Sequence, residues 1–231
     1  MRRARVVAAE QLTPRMRRVT IRCADMVGVP IRPAQDVELH LREESGRRVK
    51  RRYTIRTART DVGEYDLDVL LHGAGPGAAW GAAAAPGDEV DFQGPRGKLE
   101  LRPAQHHVLV GDESALPAIA AIAEALPPGE HARAVLEVRD GTDELPVAAE
   151  TGWVHRGAHP PGTPDLLLPA AARIDVPAGG VRAYLLGETR TMVALRTALE
   201  ARGVDHDAIF VKGYWNIARP DRIAGRPPSA H

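Results

Sequence analysis

The spacing of apolar side chains changes once along this chain, near Arg102-Pro103, and that change most constrains what it can fold into. Before the break, Val37, Leu39 and Leu41 alternate with Asp36, Glu38 and His40, and Leu67, Val69 and Leu71 alternate with Asp66, Asp68 and Leu70. A period of two turns one side of a strand inward and leaves the other to water. Residues 17–23 and 49–57 read the same way, and several such strands at short spacing predict a small antiparallel barrel. Gly73 to Gly87 interrupts them with a Gly/Ala stretch too poor in branched residues for a strand, read as a short helix entered through a glycine-rich turn. After the break, apolar runs (107–110, 134–138, 153–154, 182–186, 209–211) alternate with helical spacings. Leu116, Ile119, Ile122 and Leu126 mark one helix over 114–126; Met192, Leu195 and Leu199 mark another, with Thr189 as N-cap and Gly203 at its end. Strands alternating with helices predict a parallel sheet covered on both faces. Residues 155–165 read as a loop and 219–231 as a frayed tail.

Cys23 is the sole cysteine of 231 residues. An intrachain disulfide, a multi-cysteine zinc site and a cysteine-held iron–sulfur cluster are therefore excluded, and redox chemistry would need a borrowed organic cofactor. No window of about 18 apolar residues occurs, and residues 1–10 lack the apolar centre of a signal peptide, so a cytoplasmic location is expected. Residues 1–60 carry sixteen Lys or Arg against six Asp or Glu, and the remainder fifteen against twenty-four. Opposite charge in the two halves fits two units with different tasks. The densest basic run, Arg47, Arg48, Lys50, Arg51, Arg52 and Arg56, reads either as a solvated strand or as an anion site. Only Tyr53 interleaves it, too few aromatic rings for a nucleic-acid stacking platform.

In Arg51-Arg52-Tyr53-Thr54, alternation sends Arg51 and Tyr53 to one face of a strand and Arg52 and Thr54 to the other. An aromatic plane, a hydroxyl and a guanidinium suit a flavin nucleotide: a stacking surface, a partner for the reactive ring edge and a clamp for the pyrophosphate. Further on, His72 ends a strand and Gly75-Pro76-Gly77-Ala78 opens the Gly/Ala helix, where small residues would let phosphate oxygens reach backbone N–H groups. The same stretch also reads as a plain turn. Gly111 to Ala115 closes the first strand of the second half, the ligand edge of an open parallel sheet, but no G-x-G-x-x-G is present. Asp112 and Glu113 would repel phosphate, leaving Ser114 and backbone amides to make the contact; alternatively they satisfy their own helix N-terminus. Glu137 and Arg139 end the second strand, where Glu137 suits a ribose hydroxyl and Arg139 a 2′-phosphate. His106 and His107 face opposite ways, and His155 and His159 lack a third ligand, so no metal site is expected. Ser45, Ser114 and Ser229 lack a nucleophile-elbow setting.

These elements, in this order, resemble the siderophore-interacting protein family, flavin-dependent ferric-siderophore reductases of the ferredoxin-reductase-like group. The resemblance runs from about residue 3 to residue 216. Its anchors are RRYTIR (51–56), DLDVLLHGAGPGAAW (66–80), GPRG (94–97), GDESALPAIAAI (111–122), GE (187–188) and KGYW (212–215).

The resemblance implies an FAD-binding β-barrel over 1–102, an NAD(P)H-binding α/β domain over 103–218 and a tail over 219–231. It implies that Arg51, Tyr53 and Thr54 hold FAD, with the Thr54 hydroxyl beside the reacting ring, that Asp68 and His72 line the flavin site, and that Gly77 and Ala78 meet the pyrophosphate. Gly111, Asp112, Glu113, Ser114, Gly187 and Glu188 would form the nicotinamide-nucleotide site, with Glu137 and Arg139 choosing modestly for NADPH over NADH. Tyr214 or Trp215 would cover the flavin until the nicotinamide displaces it, or else anchor the C-terminal segment. Lys212 or Arg219 would face an anionic siderophore. Two departures stand out. Many relatives have Ala-Ser where this chain has Gly77-Ala78, a missing hydroxyl contact worth about 0.5–1.5 kcal/mol. Relatives often follow KGYW with a basic residue and glycine, whereas here Asn216-Ile217-Ala218-Arg219 follows. The implied reaction is hydride transfer from NAD(P)H to FAD, then single electrons to chelated Fe(III), releasing Fe(II). The implied partner is a ferric siderophore, with no nucleic acid, no stable membrane association, and a monomer or weak dimer. The alternatives are a generic NAD(P)H:flavin oxidoreductase or electron-transfer protein, and a non-catalytic flavin- or siderophore-binding protein.

Overall fold

The computed structural model describes residues 1–218 apart from 44, 74 and 178. Six antiparallel strands close a barrel in the order β1-β2-β5-β4-β3-β6: β1 Arg2–Thr13, β2 Met16–Arg22, β3 Asp36–Arg42, β4 Arg48–Arg59, β5 Glu64–Leu70 and β6 Glu89–Arg96. The period of two is visible in the burial. Val37, Leu39, Leu41, Leu67 and Val69 fill the barrel with Ile21, Tyr65 and Phe92. β1 obeys the same rule with weaker residues, Ala4 and Val6 buried between exposed Arg3 and Arg5. The Gly/Ala stretch forms α1 (Pro76–Ala83).

The second sheet is parallel, in the order β11-β10-β7-β8-β9, with β7 His106–Asp112, β8 His131–Val138, β9 Glu150–His155, β10 Val181–Glu188 and β11 Ile209–Trp215. Val108, Val110, Val135, Ala183 and Leu185 pack under helices α3 (Pro164–Ala172) and α4 (Thr189–Ala201). The remaining helix, α2, spans Leu116–Glu124. Residues 1–101 with 120–125 form one compact unit, and 102–119 with the described residues from 126 to 218 form the other. No helix among the described residues is long and apolar enough to cross a membrane.

Two local expectations change. The N-cap of α4 is Glu188, not Thr189: the Glu188 carboxylate accepts from the Thr191 N–H at 2.8 Å and so satisfies an orphan donor of the first turn. α3 begins at Pro164, inside the segment read as a loop, and continues through Pro169. Its prolines hid it, although Pro164 sits in the first turn, where a missing N–H costs nothing. The tail over 219–231 lies outside the described residues.

The α/β unit contains a buried ion pair. Glu113 meets the Arg156 guanidinium at 2.8 Å, with side chains 7% and 4% exposed. Removing one partner strands the other charge in a dry site, so Arg156→Ala is expected to cost about 3–5 kcal/mol of stability, read from urea denaturation. A loss below about 1 kcal/mol, the range of surface pairs, would contradict this account.

Candidate functional site

In the barrel unit, β3 and β4 pair with Leu39 opposite Arg51, Val37 opposite Tyr53 and Asp36 opposite Thr54. Leu39 and Val37 belong to the core, so Arg51 and Tyr53 share the core-facing side of β4 and reach past the core to α1. The Tyr53 ring lies 5.9 Å from that of Trp80 on α1. Its hydroxyl takes the space that a side chain at Gly77 would need: a Cβ there would stand 2.2 Å from it. Burial pushes the Tyr53 phenol up from its ordinary value, and the hydroxyl has no hydrogen-bond partner among the described residues. Gly81 likewise seats α1 directly on β5, since a Cβ would lie 2.4 Å from Val69 Cγ1.

The N-terminus of α1 has no side-chain cap. Beside it, Arg51 donates, among the described residues, only to its neighbour's carbonyl, that of Lys50, at 2.9 Å. Open N–H groups, a guanidinium that makes no ion pair within 4 Å among the described residues and a phenol hydroxyl at one helix turn fit a pyrophosphate. Most of the rest of the basic run is otherwise engaged, Arg56 by Glu124. Arg47 pairs with Glu43, while Lys50 and Arg96 flank the buried Glu38 at 3.0 and 2.8 Å, with Arg52 at 3.7 Å. Burial alone would raise the Glu38 pKa, but these cations hold it below the usual value.

Arg51, Tyr53, Gly77 and Ala78 thus come together. Thr54 lies buried on the opposite face of β4. Asp68 gives both oxygens to Arg18, at 2.7 and 2.8 Å, and His72 lies exposed beyond the end of β5. Arg17, which no motif marked, holds the far end of α1.

In the α/β unit the strand order reverses between β7 and β10, the crevice where open parallel sheets bind ligands. Asp112, at the end of β7, is filled by four donors. Its Oδ1 accepts from the N–H of Ser114 at 2.9 Å and from its hydroxyl at 2.5 Å; its Oδ2 accepts from the Glu188 N–H at 2.8 Å and the Trp215 indole at 2.9 Å. Gly187 has φ +146°, and a Cβ there would stand 2.6 Å from Asp112 Oδ2. Burial raises the Asp112 pKa and these donors oppose the shift. Glu113 accepts from the Arg139 N–H at 2.6 Å as well as pairing with Arg156. Both acids therefore serve the loop they lie in.

Glu137 is 2% exposed and sits level with Asp112 on the next strand. Burial first, then the Asp112 charge, pushes it up to about 7, against the pull of Arg156. The Arg139 side chain is exposed. At the end of β11, Trp215 is anchored through its indole and through its carbonyl, which accepts from Thr189 Oγ1 at 2.7 Å. The indole also lies against Gly162, where a Cβ would meet Cη2 at 2.7 Å. Lys212 stands over the Tyr214 ring at 4.9 Å. Arg219 lies outside the described residues. Arg156 and Gly162 went unmarked because each is a single residue in a loop without periodicity.

Two family models cover most of the chain: the siderophore-interacting FAD-binding domain matches residues 30–99 and the siderophore-interacting protein model matches 104–218. The chain belongs to the siderophore-interacting protein family. The crystal structure of a siderophore utilization protein from T. fusca is similar over 96% of this chain and 95% of its own, with a TM-score of 0.88 and 33% identity. The ferric vibriobactin reductase ViuB of Vibrio cholerae is 34% identical over 176 residues, 72% of this chain and 64% of that protein. The NADPH-dependent ferric-chelate reductase of Escherichia coli is 27% identical over 158 residues, 66% of this chain and 61% of that protein.

This geometry makes two predictions. Gly77→Ala should cost about 1–3 kcal/mol through overpacking against the Tyr53 hydroxyl, and much less in a Tyr53→Phe background, where that oxygen is gone. Additive losses in the double-mutant cycle would contradict the contact. Glu137 keeps its proton in the folded state from its ordinary value near 4.3 up to about 7, so its contribution to stability falls as pH rises through that window. Glu137→Gln should therefore gain stability relative to the parent between pH 5 and pH 8; a constant difference in urea midpoint would refute the shift.

Proposed function

We propose that this chain reduces chelated Fe(III), using FAD to couple NAD(P)H oxidation to a ferric siderophore. The observation that carries this reading is the uncapped N-terminus of α1 beside Arg51 and Tyr53, a ready receiver for the FAD pyrophosphate. Bound FAD would take electrons from NAD(P)H as a pair and deliver them singly, which matches a two-electron donor to a one-electron acceptor. The chain's own residues position and shield. Arg51 and the first turn of α1 neutralise the pyrophosphate; Tyr53 and Trp80 supply aromatic surface, while Thr54, buried on the opposite face of β4, is not part of this cluster.

On the nucleotide side, the switch-point loop of Gly111 to Ser114 with Gly187 and Glu188 forms the floor of the NAD(P)H site. Asp112 already takes the Ser114 N–H in the turn before α2, and Glu188 caps α4, so the dinucleotide must be held by other contacts, and weak binding is expected. The exposed Arg139 favours NADPH through its 2′-phosphate, while Glu137, buried and near its titration point, offers little to a ribose. Trp215 covers the crevice, and Tyr214 and Lys212 flank it. The names of the Vibrio and Escherichia relatives support ferric chelate as the acceptor. Dependence on NAD(P)H places the reaction in the cytoplasm.

The protein should purify yellow or become so with added FAD. Arg51→Ala should lose a charge-assisted contact of about 1.5–3 kcal/mol, weakening FAD about 10- to 150-fold. Under anaerobic conditions NADPH oxidation with ferric hydroxamate, catecholate and citrate complexes should yield trapped Fe(II) from at least one. A colourless protein that FAD cannot colour would sink the flavin reading; flavin reduction without Fe(II) from any chelate would favour a generic reductase.

A further inference from the structure

We propose that Arg17 is a positioning residue for the flavin pyrophosphate, acting from the opposite end of α1; this rests on the flavin reading above. Arg17 lies on β2 and its guanidinium donates to three carbonyls at the C-terminal end of α1: Gly81 at 3.0 Å, Ala84 at 3.1 Å, and Ala82. Those are acceptors that a helix leaves unsatisfied at its end. The helix itself has no basic residue in its last turn and no acidic one in its first. Arg17 thus supplies from a neighbouring strand the cation that the helix C-terminus favours.

The need for such a clamp follows from the sequence of α1. Eight residues, PGAAWGAA, include two glycines and a proline. A helix this short is marginal without tertiary support, and each glycine weakens it further. The glycines cannot be replaced cheaply, since Gly81 admits Val69 and Gly77 admits the Tyr53 hydroxyl. Close seating on β5 therefore removes the very side chains that would stabilise the helix, and Arg17 compensates. It also fixes where the first turn points. With the last turn tied to β2 and Gly81 pressed on Val69, the free N–H groups of the first turn are held beside Arg51. The anion would meet a prepaid geometry rather than a fraying turn.

The test measures dissociation constants for FAD and for riboflavin, which carries no phosphate, by quenching of flavin fluorescence. The variants are Arg17→Met, which keeps the apolar stem, and Arg17→Lys, which keeps the charge but cannot span three carbonyls. Amide hydrogen exchange is followed in parallel at residues 79–84 and in β2 and β5. The expected result is at least a tenfold loss of FAD affinity in Arg17→Met, partial rescue in Arg17→Lys, and faster exchange confined to α1, with riboflavin changed less than twofold wherever its binding is measurable. Unchanged FAD affinity would overturn the proposal. So would a loss accompanied by faster exchange throughout β2 and β5, because that marks a general structural role. If Arg17→Met fails to fold, Arg17→Lys decides by the same criteria. Failure of the parent protein to bind FAD would remove the flavin reading itself, and this proposal with it.

Discussion

Four donors converge on the carboxylate of Asp112, and the ligand edge of the α/β unit depends on that convergence. One side chain ties the end of β7 to the end of β10, to the start of the turn that leads into α2, and to the indole at the end of β11. The glycine at 187 is needed because β10 passes too close to Asp112 for any side chain. Charge-assisted hydrogen bonds are stronger than neutral ones, and in a dry site each lost donor leaves an uncompensated acceptor. The same economy governs Glu188 at α4 and Glu113 at Arg156. This edge is built with acids turned inward, so the chain's own carboxylates occupy the N–H groups that phosphates use in a glycine-rich dinucleotide fold.

The barrel unit makes the opposite choice. The first turn of α1 carries no acidic residue and no side-chain cap, and Arg51 beside it makes no ion pair within 4 Å among the described residues. An anion is expected there for the same physical reason that it is disfavoured at the other edge. The excess of basic residues before residue 60 is mostly absorbed locally, around Glu38, Glu43 and Asp68. What sets Arg51 apart is its position relative to one helix, not the net charge.

Much of the architecture was legible because it follows from periodicity. Alternation at 36–41 and 66–71 marked barrel strands, and apolar runs separated by helical spacings marked the parallel sheet. Where periodicity is masked, the reading faltered: α3 hides behind Pro160, Pro161, Pro164 and Pro169, and the cap of α4 shifted by one residue because Glu188 reaches its own helix as well as Thr189 would. In the candidate site, the pairing of Arg51 with Tyr53 and the glycine opening of α1 could be read from spacing. The grip of Arg17 on α1 and of Arg156 on Glu113 could not, since both join residues far apart in sequence through contacts that leave no local pattern. The acidic Asp112-Glu113 pair was ambiguous in sequence, and the structure shows both carboxylates engaged with their own fold.

The central claim is that flavin is the sole carrier of electrons in a chain whose one cysteine rules out a cluster of its own. The most direct measurement is an anaerobic titration of FAD-loaded protein with limiting NADPH in the presence of a ferric siderophore, following nicotinamide oxidation, flavin absorbance and trapped Fe(II) together. The account predicts two Fe(II) for each NADPH oxidised, bleaching of the flavin band when the chelate is left out, and no Fe(II) from protein stripped of FAD. Fe(II) formed at the same rate by the stripped protein, or a flavin band untouched by NADPH, would contradict it.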